Sequence, residues 1–514
     1  MTWTRRHLIK GAAACAALCA CLPTRTNSTS RVSDTANQLQ GADPFAAPAP
    51  GRVMVHLFEW RWDDVAKECE SVLGPAGIYS VQVSPPNEHR VLKGNPWWQR
   101  YQPVSYALVS RSGDRASFEN MVRRCRVAGV GVTVDAVINH MTSGTDGDAR
   151  PGAGAGGSSY SKYNYPGLYS EASFHKCAGE RAKSISSYQN TDDVQKCELV
   201  GLADLKTSDE TVRATVGRYL ADLAKAGVHG FRIDAAKHMP AEDIRLILNR
   251  APALPNTFLE VIGADGEAVT TRQYDHIGRI TEFRFSSAVA DAIRGRRLGE
   301  LLDIIGSNDW LPSDKALVFT NNHDNQRGHG SGGNPLTFRE PELHDLAVAL
   351  MLAHPYGQPS LMSSYEFSNA DQGPPADSSG RTLSVGIHAP DATCSSGWVC
   401  EHRRRAVLGM VGFRNATAGQ PLSAPYREAD AGVIAFGRGN KGWFVARRGG
   451  PSGELSRSFK TMLPPGRYCD VISGGQLLRG RSCQGRMVEV DAAGTVNLTL
   501  RDGEAIALHA GARL

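Results

Sequence analysis

At 514 residues, 41% hydrophobic and 21% charged, the chain is too long for one ordinary domain and has ample material for a folded core. Its net charge is +5, and Arg5, Arg6 and Lys10 near the N-terminus supply three of those charges, so the remainder is almost neutral. That leaves no electrostatic case for binding nucleic acid or an anionic membrane surface and makes an uncharged substrate the natural expectation.

The chain opens with "MTWTRRHLIKGAAACAALCACLP". Two arginines ahead of an Ala-rich stretch too short for a permanent membrane span predict an export signal over residues 1–21. "TRRHLIK" resembles a twin-arginine signal, which carries proteins out already folded. "LCAC", ending at Cys21, resembles a lipobox in which that cysteine is lipidated and anchors the protein to a membrane. Ordinary cleavage with no anchor is the alternative, and a secreted or periplasmic protein follows either way. Residues 22–51, rich in Ser, Thr, Ala and Pro, read as a flexible linker.

From residue 52, strand-like apolar runs alternate with helical stretches. "VMVHLFEW" (53–60) precedes the helical "DDVAKECESVL". "YSVQVSPP" (79–86) follows, and "VGVTVDAVINH" (130–140) comes after the helical "ASFENMVRRCRVAG". "HGFRIDAAKH", "TFLEVIG" (257–263), "GRITEF" (278–283), "ALVFTNNHD" (316–324) and "SLMSSYEF" (360–367) complete eight candidate strands. Runs apolar on both faces indicate a parallel sheet covered by helices, and eight units predict a (β/α)8 TIM barrel over 52–140 and 204–417. The first run lacks the Gly-rich turn of a dinucleotide-binding sheet. Residues 141–203, rich in Gly, Ser, Tyr and Asn, read as a subdomain inserted after strand 3 and overhanging the site. From 418 to 514 short alternating runs such as "KGWFVARR" and "TVNLTLRDG" predict a C-terminal all-β sandwich.

Of eleven cysteines, Cys15, Cys19 and Cys21 belong to the leader. The pairs Cys177/Cys197, Cys394/Cys400 and Cys469/Cys483 each close a short loop, the pattern of disulfides in an oxidising compartment. Cys69 and Cys125 remain, either as buried free thiols, the commoner case, or paired with each other.

The polar residues at the ends of these runs carry the chemistry. In "GFRIDAAKH", Arg232 and Asp234 lie two apart in an apolar run, where a carboxylate is costly to bury unless it is paired or used. Asp135, Asn139 and His140, then Asp234, Glu260 and Asp324, all fall at C-terminal strand ends, the face on which a barrel assembles its active site. Three carboxylates on separate strand ends suit glycoside hydrolysis, with one acid as nucleophile and another as proton donor.

"DAVINH", "GFRIDAAKH", "EVIG" and "TNNHD" resemble, in order, the four conserved regions of the α-amylase family of glycoside hydrolases. "HLFEWRW", "NPWWQRYQPVSY", "LVGLADL", "NNHDNQRGHG", "MLAHPYG", "MSSYEF", "WVCEHR" and "YCDVISG" are similar to its animal-type branch, from about residue 52 to the C-terminus. The resemblance implies an endo-acting, retaining hydrolase of α-1,4-glucosidic bonds, working as a monomer on a starch-type glucan. Exo-cleavage or transglycosylation on the same fold is the alternative outcome. It implies Asp234 as nucleophile, Glu260 as general acid and then base, and Asp324 as the third acid. The apolar neighbours Phe258, Leu259, Val261 and Ile262 suit an acid that must hold a proton. Arg232 is implied to orient the nucleophile, Asp135 to order the base of the site, and His140 and His323 to bond the sugar at the cut. Trp97, Trp98, Tyr101 and Gln102 supply a sugar platform, Lys237 and His238 reach the sugars beyond the cut, and His329 rides the Gly-rich loop.

Two ions enter through the same resemblance. Calcium is implied at Asn139, Asp204 and the backbone carbonyls near Gln195 and His238, oxygen donors that suit a hard cation. Chloride-activated members of the branch use two arginines and an asparagine, and Arg232 and Asn322 match. The second arginine position falls at Ser360, which carries no cation, so chloride dependence is expected to be weak or absent. Cysteines that would oppose Cys69 and Cys125 in the branch are replaced here by Val109 and Thr142.

Overall fold

Eight parallel strands close into a barrel in the computed structural model, which describes residues 52–143, 152–180, 183–330, 333–387, 394–475 and 482–514. The expected leader and linker, with Cys21, lie outside those residues. The strands are β1 (Met54–Leu57), β2 (Ser80–Val83), β3 (Gly131–Ala136), β4 (Gly230–Ile233), β5 (Phe258–Leu259), β6 (Arg279–Thr281), β7 (Ala316–Val318) and β8 (Gln358–Ser363). Each pairs in parallel with its neighbours in sequence, and β8 closes on β1 through Met54 opposite Ser360 and Leu57 opposite Ser363. All eight expected strands are present, each shorter than its apolar run, because the last residues of each run turn outward to build the mouth.

Helices fill most crossovers, as a parallel sheet buried on both faces requires. They are α1 (Trp62–Glu68), α2 (Arg115–Val127), α3 (Glu210–Lys225), α4 (Ala241–Leu248), α5 (Phe283–Arg294), α6 (Pro341–Ala353) and α7 (Arg405–Ala416). Asp114 and Ser117 form a capping box at the start of α2, and Asp209 caps α3, satisfying backbone donors that the first helical turn leaves free. The α1 helix packs on α2 and brings the Cα atoms of Cys69 and Cys125 to 5.0 Å, where the two form a disulfide. Of the two alternatives for these cysteines, the less common one, pairing with each other, is the one found. Chain proximity created by helix packing, which residue spacing does not reveal, makes the pair. The other three expected pairs are disulfides too.

After β3 the chain leaves the barrel and returns along Leu202–Asp204, which pairs antiparallel with His140–Ser143. Between them lie the Gly152–Ala153/Ser159–Tyr160 ribbon and a short helix, Thr191–Lys196, capped by Asn190. Aromatic packing among Tyr160, Tyr165, Tyr169 and Phe174 holds this insertion together. Glu88, on the loop after β2, accepts hydrogen bonds from the amides of Gly156 and Ser158 and ties the insertion to the barrel mouth.

The C-terminal strands run antiparallel. Leu422–Glu428, Val433–Arg438, Gly442–Arg447 and Ala505–His509 form one sheet, faced by the ribbons Leu455–Lys460/Thr495–Leu500 and Gly466–Cys469/Met487–Val490. Val433, Trp443, Phe459, Val496 and Ile506 meet in the core between them, the sandwich expected from alternating residues.

Candidate active site

The strand ladders place the acids. The amide of Asp234 donates to the carbonyl of Ala136 (3.1 Å) and that of Glu260 to the carbonyl of Ile233 (3.0 Å), so each acid begins one residue beyond its strand yet stays tied to the preceding one. Ala235 follows in the left-handed region at φ 49°, which turns the chain sharply after Asp234. Its amide donates to Glu260 Oε2 at 2.9 Å, linking the turn after one acid to the carboxylate of the next.

Arg232 is the hub. Its Nη1 donates to Asp135 Oδ1 (2.6 Å) and Asp234 Oδ1 (2.7 Å), and its Nη2 to Glu260 Oε1 (2.5 Å). Asp324 lies 3.9 Å from Nη2. Four carboxylates thus surround one guanidinium, with Asp135, Asp234 and Glu260 buried and Asp324 half-buried at the cavity side. Burial pushes Asp234 and Asp135 above the usual carboxylate range against the pull of Arg232. Burial, then repulsion from Glu260, raises Asp324 to about 8. One cation does not neutralise four acids at low dielectric, so the cluster keeps protons at neutral pH as a shared property.

Above this cluster opens a cavity of about 890 Å³. Asp234, Glu260 and Asp324 face it, with Trp97, Trp98, Tyr101, Gln102, His140, Lys237, His238, His323 and His329 in its walls. Asp135 and Arg232 lie beneath instead, where Tyr101 donates its hydroxyl to Asp135 Oδ2 at 2.9 Å. Trp97 is buried and donates Nε1 to the carbonyl of Ala370, while Trp98 keeps an open face and donates to Asp371 Oδ1 at 3.0 Å. The adjacent tryptophans therefore divide into one packed ring and one presented ring. Gln102 Oε1 accepts from Arg90 and Ser143. Burial holds His140 and His238 at about 4 and His323 well below its ordinary value, so all three are neutral imidazoles. His140 Nε2 pairs with the carbonyl of Tyr101 at 2.9 Å.

Several wall residues carry no sequence signal of their own. Glu267, bonded to Lys237, comes from the loop after β5, and Asp371 from the loop after β8. Tyr188, Glu198 and Val200 come from the insertion, whose overhang was the only hint of them.

Of the expected metal ligands, Asn139 and Asp204 lie side by side where the insertion rejoins the barrel. Asn139 is buried, its Oδ1 accepts no hydrogen bond, and its neighbour His140 pairs across the ladder with Asp204. Asp204 is buried and pushed up to about 7 by desolvation, partly offset by His175 at 2.6 Å. An orphaned amide oxygen beside a buried carboxylate fits a hard cation. Gln195 turns its side chain to Tyr274, and His238 Nδ1 pairs with the carbonyl of Val194. Cys177, Asp193 and Cys197 also cluster, but both sulfurs are consumed by the disulfide and offer no thiolate. Behind Arg232, a cavity of about 20 Å³ is lined by His56, Arg232, Asn322 and Ser360 among others. Burial and Arg232 hold His56 well below its ordinary value, so it adds no second cation there.

A family model described as alpha amylase, catalytic domain, matches residues 99–291, and one described as alpha amylase, C-terminal all-beta domain, matches 426–511. An alpha-amylase of Tenebrio molitor is 44% identical over 480 residues, 90% of this chain and 98% of that protein. One of Pecten maximus is 43% identical over 496 residues, 92% of this chain and 96% of that one. Among solved structures, wild-type alpha-amylase I of Eisenia fetida superposes with a TM-score of 0.81 at 39% identity, covering 90% of this chain and 97% of its own. A mutant of that enzyme in complex with maltohexaose gives 0.82 at 38% identity, with the same coverage.

Proposed function

The chain belongs to the α-amylase family of glycoside hydrolases, and from that premise we propose an exported, endo-acting hydrolase of α-1,4-glucosidic bonds that retains configuration through a covalent glycosyl-enzyme. One observation carries this reading: Asp234 and Glu260 are held on the two amino nitrogens of a single guanidinium, facing the same cleft. That arrangement favours the short carboxyl separation of retaining enzymes, about 5–5.5 Å, over the wider spacing that leaves room for a water between the acids.

Asp234 attacks the anomeric carbon while Glu260 passes its proton to the glycosidic oxygen, and the leaving glucan departs from the Lys237 side. Glu260 then takes a proton from water, which attacks the anomeric carbon and releases Asp234. Asp324, protonated through the neutral range, donates to and accepts from sugar hydroxyls and favours the distorted ring of the oxocarbenium-like transition state. Neutral His140 and His323 bond the same sugar without adding positive charge beside a developing cation. Trp98 and Tyr101 stack on sugar faces. A cavity of about 890 Å³ with open sides suits an internal segment of a polymer, which supports endo-cleavage.

Calcium held by Asn139 Oδ1, Asp204 and the carbonyls of Gln195 and His238 would brace the insertion against the barrel. It takes no part in the proton transfers. Chloride dependence is weak or absent, because Ser360 and neutral His56 leave Arg232 as the sole cation at the cavity behind it. Export is supported by four disulfides, which persist in oxidising compartments. The decisive test is a digest of soluble starch by wild type and Glu260→Gln, with and without a chelator. Wild type should release short maltooligosaccharides early, and Glu260→Gln should release almost none. Chelation should lower the melting temperature before it lowers the initial rate. Reducing sugar released equally by both proteins would refute the assignment.

A further inference from the structure

Arg327 lies three residues beyond Asp324 and is buried, yet no carboxylate approaches it within ion-pair distance among the described residues. Its Nη1 donates to the carbonyl of His323 (3.2 Å), while Nε and Nη2 find no acceptor. A buried cation with unsatisfied donors is expensive unless something else stabilises it. Four rings do so here. The guanidinium carbon lies 4.0 Å from the centroid of Phe367, 4.8 Å from Tyr365, 5.3 Å from Phe58 and 5.7 Å from Trp97. These rings come from three separated segments that follow β1, β2 and β8. Two of them, Phe58 and Trp97, also pack against the imidazole of His323, at 5.0 and 5.6 Å.

Resting on the reading of the cleft given above, we propose that Arg327 is a positioning residue for glucan cleavage: its cation–π contacts and its bond to the His323 carbonyl fix His323 and Trp97 in the wall beside the reacting sugar. Arg suits this place better than Lys, because a planar, weakly hydrated guanidinium stacks on several rings at once. The same positive charge adds to burial and to Arg232 in keeping His323 neutral. A displacement of the wall by a fraction of an ångström would be felt mainly in the transition state, so the effect belongs in kcat more than in KM.

The test compares wild type, Arg327→Met, Arg327→Lys and Phe367→Leu on maltoheptaose, with kcat counted per enzyme trapped as its covalent fluoroglycosyl adduct. Arg327→Met keeps length and apolar packing and removes the charge. It should lower kcat about tenfold with KM changing less than about threefold, and Arg327→Lys should recover part of the loss. Phe367→Leu, at the outer edge of the cage, should fall in the same direction by a smaller factor, and it answers the question if Arg327→Met does not fold. Unchanged kcat per trapped enzyme in Arg327→Met, or in Phe367→Leu where the former is insoluble, overturns the proposal. So does a Lys variant no better than Met. Glu260→Gln run alongside separates the two readings, since its full activity would overturn the cleft assignment itself and not the cage alone.

Discussion

Two buried carboxylates, Asp234 in the cleft and Glu68 at the end of α1, both touch an arginine, and their ionisation moves in opposite directions. Glu68 receives His402 Nε2 at 2.8 Å and Arg403 Nε at 2.7 Å, with a second contact from Arg403 Nη2. Burial alone would push it up, but these donors hold it below the usual range. Asp234 shares Arg232 with three other acids and is pushed up. The ratio of acids to cations is what separates the two. One acid among two donors has no proton to exchange and serves as a brace between α1 and the segment before α7. Four acids around one cation hold a proton that can be moved.

Exchanging the acids should break that contrast most visibly. Asp234→Asn should cost on the order of 10⁴-fold in kcat while the melting temperature holds or rises, since one like charge leaves a crowded site. Glu68→Gln should do the reverse. It should cost about 3–5 kcal/mol of stability, because Arg403 is left buried without its anion, with kcat per folded molecule unchanged. Chemical denaturation and initial rates on the same preparations would read both. Loss of activity in the Glu68 variant beyond its unfolded fraction would erase the distinction.

Opposite pH slopes sharpen it further. Asp324 ionises near 8 in the folded protein against an ordinary value of 3.8, so the folded state binds more protons than the unfolded across that interval. Its contribution to stability is complete at low pH and declines as pH rises through the interval. Glu68 lies below its ordinary value, so its contribution is present above that value and is lost as pH falls. The shared proton of the cleft should also give kcat/KM an alkaline limb near pH 8. A rate profile flat to pH 10 would contradict a protonated cluster.

The smallest effect expected is from chloride. An added anion beside a guanidinium whose donors are already taken by Asp135, Asp234 and Glu260 gains little, so dialysed enzyme should respond less than about twofold to added salt. A saturable, severalfold gain would mean that Arg232 has more charge to spare than its neighbours suggest.

The cleft is partly legible in the amino-acid sequence. Asp234, Glu260 and Asp324 stand at strand ends because an apolar run must stop where its polar residue begins, and run lengths locate those ends within a few residues. Arg232 beside Asp234 was readable as a pair, but its hold on Asp135 and Glu260 was not, since those contacts cross two strand interfaces. Cys69 and Cys125 show the same limit, being 56 residues apart and joined only because α1 lies along α2. Glu267 and Asp371 sit in loops without apolar pattern, where nothing local announces that a carboxylate will face the cleft.

Order along the chain therefore determined the barrel, the inserted and C-terminal elements, and which residue types would stand at the mouth, because periodicity and strand direction are local properties of the backbone. Closure of the barrel decided how many acids share one arginine, which tryptophan is presented and which is packed, and that Arg327 is met by rings rather than by an anion. Those are through-space quantities. The ionisation of a buried group depends on the charges and apolar surface within a few ångströms of it, and that neighbourhood exists only once distant segments have packed.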